Sequence, residues 1–389
     1  MNIEEFFQEI QNMLPIKRKD DFKDMDYRDI IHHSFRHLKL IINNIELASQ
    51  WNGTVFKKSK RIIGIYCESI EDIINSYYMG LISYSYQKFA RLIFEENYFA
   101  PPLYKYLYYA IPVNPYTNEY PFFYRIRASE HCRDFTYKDM FHIPLNKRGI
   151  IKTQRFSIIG YPCLYLGRSI YGCWEEMHRP SLDSFVVSQY NQIKGNLRLW
   201  DLRVPTINDN MLKDEGLFCN MICKLPLIIS CMVESKYETT QIYKPEYIIP
   251  QLLMELIISY IQNGIYDIDS DFQKERDCVY GIYYTSVQKN NIFFKDTKSL
   301  FDNVAIPVVE TNETIDYCPV LSKLFEISDP TSEEIERIKN LDTGVPANTN
   351  RLYYELSIFG MLERRLKNAP AHKIIPQYKE GCSVNVSKK

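Results

Sequence analysis

The sequence predicts an α+β protein: a mixed β core with a helical region before it and a helical extension after it. Three observations carry that expectation. Apolar residues recur at three- and four-residue steps through residues 1–97, the period of amphipathic helices. From about 101 to 320 the pattern changes to short β-branched or aromatic runs bounded by turn residues, as strands are. Past 320 helical patterns return. The strand runs do not alternate regularly with helices, which speaks against a doubly wound parallel sheet. Three domains are expected: residues 1–100 helical, 101–320 β-rich, and 321–389 a helical extension with a tail.

In the first region Ile41, Ile42, Ile45 and Leu47, then Ile70, Ile73, Ile74, Tyr77 and Tyr78, mark two amphipathic stretches, with Trp51-Asn52-Gly53-Thr54 as a turn between them. Tyr84, Tyr86, Phe89, Leu92 and Phe94 continue an apolar stripe after Gly80. Pro101-Pro102 closes the region, because a proline cannot donate to a helix and restricts the residue before it. In the middle region strands are expected at 122–126, 162–166, 197–204, 226–233, 281–287 and 303–309. Helices are expected at 170–177, where Ile170, Cys173, Trp174 and Met177 fall at i, i+3, i+4 and i+7, and at 250–262. In the last region Thr331-x-x-Glu334 reads as a capping box for a helix through Leu341, 350–366 carries a further amphipathic pattern, and 373–389 reads as a tail.

Composition narrows the function classes. A chain of 389 residues, 46% of them hydrophobic, can build two or three domains around substantial cores, which excludes general disorder. Lys+Arg 47 against Asp+Glu 48 gives a net charge of −1, so nothing global draws the protein to nucleic acid or an anionic membrane. Tyr 31 and Phe 21 are abundant while Gly is 14, and neither GxGxxG nor GxxxxGK[ST] occurs, which excludes the usual glycine-rich phosphate loops. The longest apolar stretches, 226–233 and 247–261, are short or interrupted by Pro250, Gln251 and Glu255, below the ~20 residues of a membrane span. The first residues lack the basic start and apolar core of a secretory signal, and the ten cysteines contain no CxxC pair. A soluble cytoplasmic protein with reduced, mostly buried thiols is expected.

Several clusters have bland readings. His33 and His37 have the i,i+4 spacing that can hold zinc, but Ser34 stands where the accompanying glutamate would be, and no third ligand is evident near them or His32. Cys219-x3-Cys223 lacks a second pair at ribbon spacing. Lys57-Lys58-Ser59-Lys60-Arg61 reads as a solvated helix start. No metal site is expected. The middle region is more informative. Arg125 and Arg127 alternate along an expected strand and so share a face, and arginine suits bidentate capture of a diphosphate. On the helix begun at Ile170, Glu176 falls beside the apolar face, where its carboxylate can reach a cleft edge.

Five segments in order resemble the RES domain. They are Tyr124-Arg125; Arg155-Phe156 with Gly160; Leu164-Tyr165-Leu166 with Ser169 and Trp174-x-Glu176; Tyr247-x-x-Pro250-Gln251; and Gly281-Ile282-Tyr283-Tyr284-Thr285-Ser286. The resemblance spans about residues 120–310, and the family's naming Arg, Glu and Ser fall on Arg125, Glu176 and Ser286. It implies a fold similar to the ADP-ribosyltransferases and diphtheria-type toxins, consumption of NAD+ as substrate with no cofactor, and a role as a bacterial toxin or anti-phage effector. The chain departs from compact relatives in its first 100 residues, its helical extension and the lack of an evident helix-turn-helix segment, and Ile126 follows the arginine where some relatives carry an aromatic residue.

The implied chemistry is cleavage of the nicotinamide–ribose bond. Glu176 is expected to stabilise positive charge developing on the ribose, Arg125 to grip the diphosphate, and Ser286 to hydrogen-bond the ligand. Tyr124, Arg155, Tyr165 and Gln251 complete the expected substrate site, and Glu175 serves as an internal control. Hydrolysis and phosphorolysis stay open, as do ADP-ribosyl transfer to a protein or nucleic acid and a non-catalytic NAD-binding regulatory role. The expected partners are NAD+, a protein that restrains or triggers the enzyme, and a second copy of the chain; neither a membrane nor nucleic acid is expected. Residues 1–100 could also act as an autoinhibitory segment.

Overall fold

The computed structural model describes residues 1–19, 22–96, 99–112, 121–128, 135–182, 184–193, 197–236, 243–262, 279–288, 294–295, 299–309, 315–331 and 352–377. The chain is α+β, as the patterns predict, with a nine-stranded, mostly antiparallel sheet as its centre. It opens with four helices: α1 (Ile3–Met13), α2 (Tyr27–Asn43), α3 (Thr54–Tyr78) and α4 (Ile82–Phe94). Local chemistry sets their starts. Asn2 and Glu5 form a reciprocal capping box on α1, and the Asp26 side chain accepts from Arg28 N on α2. Gly53 precedes α3 at φ 73°, the left-handed conformation that glycine adopts without strain.

The middle of the chain supplies the helices α5 (Ile170–Glu176), α6 (Asp209–Lys213), α7 (Glu215–Cys223), α8 (Leu225–Cys231) and α9 (Ile248–Gln262); α10 (Pro319–Leu324) and α11 (Ile358–Leu366) follow. The strand expected at 226–233 is helix α8. Every residue of α8 is buried, so its sequence is apolar on all sides, and such a run has no period by which helix and strand can be told apart. Pro226 sits in the first turn, where its missing N–H costs no helical bond. Of the helix expected from Thr331 through Leu341 only Thr331 is described, and it bridges Val187 antiparallel; the rest of that helix and residues 378–389 of the expected tail lie outside the described residues. The described start of that tail instead closes the sheet: residues 371–373 form an edge strand, and Ile374 is buried.

The sheet strands are β1 (Tyr108–Ala110), β2 (Phe123–Ala128), β3 (Cys163–Gly167), β4 (Phe185–Gln192), β5 (Arg198–Leu202), β6 (Gly281–Thr285), β8 (Asp302–Pro307), β9 (Phe325–Ser328) and β11 (Ala371–Lys373); β7 (Phe294–Lys295) and β10 (Leu352–Tyr353) form a separate parallel pair. The order across the large sheet is β1-β5-β6-β8-β3-β2-β4-β9-β11, and only β5 and β6 run parallel. The register between β2 and β3 is a single pair, Tyr124 with Gly167, whereas β2 pairs with β4 over six residues and β3 with β8 over five. The sheet is therefore two half-sheets that meet at one point and part beyond it.

One large core unites the four opening helices with α7, α8, α9 and one sheet face carrying Ile282, Tyr284 and Ala305. Phe218 of α7 is its hub, with the rings of Phe6, Phe7, Trp51 and Phe56 between 5.4 and 6.2 Å away. Glu215, at the start of α7, accepts from the N–H of Gly53 and of Phe56, filling the open donors of α3. The segment after α1 is bound just as closely: Ile16 bridges Val233 in parallel, and the buried Arg18 guanidinium meets the buried Glu246 carboxylate at 2.5 Å. The opposite sheet face packs Leu164, Leu166, Val304 and Ile306 against Phe123, Phe141, Tyr190 and Phe325.

Candidate functional site

The expected site residues cluster around the point where the half-sheets part. Tyr124 faces Gly167, Gly167 faces Asn303, and Asn303 faces Tyr284, so these four form one row across β2, β3, β8 and β6. With strands about 4.8 Å apart, the row spans roughly 14 Å. Tyr165 lies two residues along β3 and so projects from the same face as the row. Helix α5 is laid over this face. Its N-cap Ser169 accepts from Gly172 N and donates to the Leu300 carbonyl, and its Cys173 thiol meets the Tyr124 carbonyl at 3.4 Å. The last residue of α5 is Glu176, whose Oε1 accepts from Asn303 Nδ2 at 3.0 Å. Gly167 makes the close approach possible: a Cβ there would stand 2.5 Å from Cys173 Sγ.

The two neighbouring glutamates differ in burial. Glu175 is only 4% exposed, accepts from Arg179 Nε at 2.9 Å and has a second buried oxygen with no hydrogen-bond partner among the described residues. Glu176 is half-buried at the seam. The sequence singles out Glu176 but does not show that Glu175 is the more deeply buried of the two.

Arg125 alternates with Tyr124 on β2, so its side chain leaves the strand on the other side, level with Ser188 of β4. Its Nη1 is buried and has no hydrogen-bond partner among the described residues. Burial and the like charge of Arg125 lower the pKa of Arg127 to about 10, which places the two guanidinium groups in one region. Burial, joined by the same two arginines, lowers the pKa of His142 to about 4.

The remaining expected residues are placed as follows. Arg155 donates to the carbonyls of Cys231 and Val233 at 3.0 and 2.9 Å and lies over the Tyr247 ring, so its fork serves the main chain at the end of α8. The Tyr165 hydroxyl sits 2.8 Å from Ser157 Oγ and accepts from Phe156 N, and burial raises its pKa well above the ordinary tyrosine value. Gln251 on α9 donates to Thr153 Oγ1 and to the carbonyls of Gln154 and Ser157, fastening the same loop. Ser286 is fully buried just past β6, with its N–H on the Phe301 carbonyl and its hydroxyl oxygen accepting from Gln288 N. Lys17 donates to the carbonyl of Val287, the next residue. The structure thus gathers Tyr124, Tyr165, Tyr284, Asn303 and Glu176 on one face, with Arg125 at the same seam and Ser286 at the strand end.

Elsewhere the histidines of α2 have ordinary partners: His32 meets Glu71 and His37 meets Glu9. Among the described residues no group of three His, Cys, Asp or Glu is placed to hold a metal ion, and no helix is long and apolar enough to cross a membrane.

The chain is similar to a curated Bacillus subtilis (strain 168) protein named "Putative toxin YopC": 39% identity over 222 residues, covering 54% of this chain and 46% of that relative. The chain thus spans less than half the length of the relative it matches. No family model matches the sequence, and no solved structure matches it.

Proposed function

We propose that this chain is a toxin-type enzyme that consumes NAD+ by cleaving its nicotinamide–ribose bond. The carrying observation is a donor-held carboxylate, Glu176, over one face of the sheet where the two half-sheets part, with Arg125 leaving β2 on the other side of the same point and its buried Nη1 without a hydrogen-bond partner among the described residues. A toxin-named relative and the RES resemblance support the same reading. As the N-glycosidic bond breaks, its electron pair passes to nicotinamide, which leaves neutral, and positive charge develops on the ribose C1′. Glu176 stabilises that charge and holds a ribose hydroxyl, a preorganised electrostatic effect. Arg125 holds the diphosphate. The loop 154–157, fastened by Gln251 and Tyr165, forms a wall of the site together with the Phe156–Tyr284 ring pair. Water or phosphate then takes C1′.

Purified protein is incubated with NAD+ and the products are read by mass spectrometry. Nicotinamide with ADP-ribose means hydrolysis, a phosphorylated ADP-ribose means phosphorolysis, and mass added to a macromolecule means transfer. NAD+ bound with no product formed would sink the enzymatic reading in favour of a regulatory one. Glu176→Gln should reduce NAD+ loss by about 10²-fold or more, the scale of a lost transition-state contact. Glu175→Gln should retain much of it.

A further inference from the structure

Glu176 needs more than a place on a helix, because a carboxylate at the end of α5 has several rotamers and only some face the seam. The structure assigns Asn303 as the positioning residue that holds the Glu176 carboxylate toward the ligand, an inference that rests on Glu176 being the catalytic carboxylate. Asn303 is only 4% exposed and occupies β8 between Gly167 of β3 and Tyr284 of β6. Its Nδ2 donates to Glu176 Oε1 at 3.0 Å, and the same side chain interacts with the Tyr284 phenol. Its Oδ1 has no hydrogen-bond partner among the described residues and is turned to Gly167, where an added Cβ would stand 3.0 Å away.

The amide matches this position in both character and shape. Nδ2–H donates to an anion, and Oδ1 rests against a bare α-carbon. Aspartate has nearly the same volume but offers an acceptor where Glu176 needs a donor, so it repels the carboxylate it should hold. One Glu176 oxygen is engaged by Asn303, which directs the other, Oε2, to the ribose. The device needs no contact between Asn303 and the substrate.

The test compares wild type, N303D, N303A and N303S in the full chain, with thermal unfolding as a check on folding. In N303A, kcat for NAD+ loss should fall about 10- to 100-fold with little change in KM, as expected when a catalytic group is misplaced. In N303D the acid limb of the pH profile should move up by about one pH unit, because a second carboxylate disfavours ionisation of the first. A donor restored by N303S should recover part of the rate. A kcat for N303A within twofold of wild type, or superimposable pH profiles for N303D and wild type, would overturn the assignment. A second readout does not need turnover: the Glu176 carboxyl resonance, identified by its loss in E176Q, is followed against pH in glutamate-labelled protein. Its titration midpoint should rise in N303A and N303D, and an unchanged midpoint overturns the assignment. A wild type that leaves NAD+ intact while the midpoint moves would refute the NAD+ reading and uphold the Asn303 contact.

Discussion

At the residue scale, the expected consequences follow from which polar atoms are already committed. Arg125→Ala removes a guanidinium group whose buried Nη1 has no hydrogen-bond partner among the described residues, so the loss should appear in substrate binding; KM for NAD+ should rise by about 30- to 1000-fold, the worth of a buried charge-assisted bond of about 2–4 kcal/mol. A KM unchanged within threefold would remove Arg125 from the diphosphate. Arg155→Ala should act differently, because its donors serve two main-chain carbonyls and its loss leaves those buried acceptors unpaired. Its effect should appear as a lower melting temperature rather than a selective rise in KM. Which glutamate would be the more buried was not legible in the sequence: adjacent residues lie 100° apart on a helix, and the burial of Glu175 depends on neighbours that no local period encodes. Asn303 was illegible for a similar reason. One asparagine at the head of a strand run looks like a boundary, and only the pairing of β8 with both β3 and β6 turns it toward α5.

At the element scale, the C-terminal extension clamps α5. Phe359 of α11 packs on Tyr171 and Trp174, with ring centroids 5.4 and 5.2 Å apart, while Glu363 accepts from Ile170 N, the first N–H of α5, and from the Tyr354 hydroxyl. Burial raises the Glu363 pKa from 4.5 to about 7, partly opposed by those two donors. The folded state therefore holds a proton that the unfolded chain has released, so the associated stability is complete below about pH 4.5 and is lost as pH rises through about 7. A shift of this size corresponds to at most about 3 kcal/mol. Urea unfolding of wild type and Glu363→Gln at pH 5 and pH 8 should show wild type losing more stability than the variant; parallel losses would show that Glu363 does not titrate in this interval. The strands 123–128, 163–167, 198–202, 281–285 and 302–307 were legible because they carry apolar or β-branched runs between turns. Strand β4 was not. Ser188 and Gln189 interrupt its pattern, yet both are buried, because β4 lies between β2 and β9 and neither of its faces is consistently solvated. Strand β9 falls where helical patterns dominate, and its conformation comes from pairing with β4 and β11.

At the scale of the whole molecule, the opening helices and the sheet share a core, so residues 1–100 are part of the scaffold that carries the seam. Deleting them would uncover the faces of α7, α8 and α9, and the remainder should be insoluble rather than hyperactive; a soluble, more active truncation would instead establish autoinhibition. Phe218→Ala at the aromatic hub should cost about 3–5 kcal/mol in chemical unfolding. Arg18→Met should cost a similar amount, about 3–5 kcal/mol, because it strands Glu246 in the interior. The sequence shows helices before strands but not that they share this core, since the contacts join residues such as Phe6 and Phe218 that lie far apart in the chain. The strand order carries one more consequence, in time rather than in space. Strand β8 enters the middle of the sheet between β3 and β6, although more than 300 residues of chain are made before it. Until the ribosome has released that segment, Glu176 has no Asn303 to hold it, and no central strand joins the two neighbours. Chain growth itself therefore delays assembly of the seam, and a nascent chain halted before β8 lacks the contact between Asn303 and Glu176.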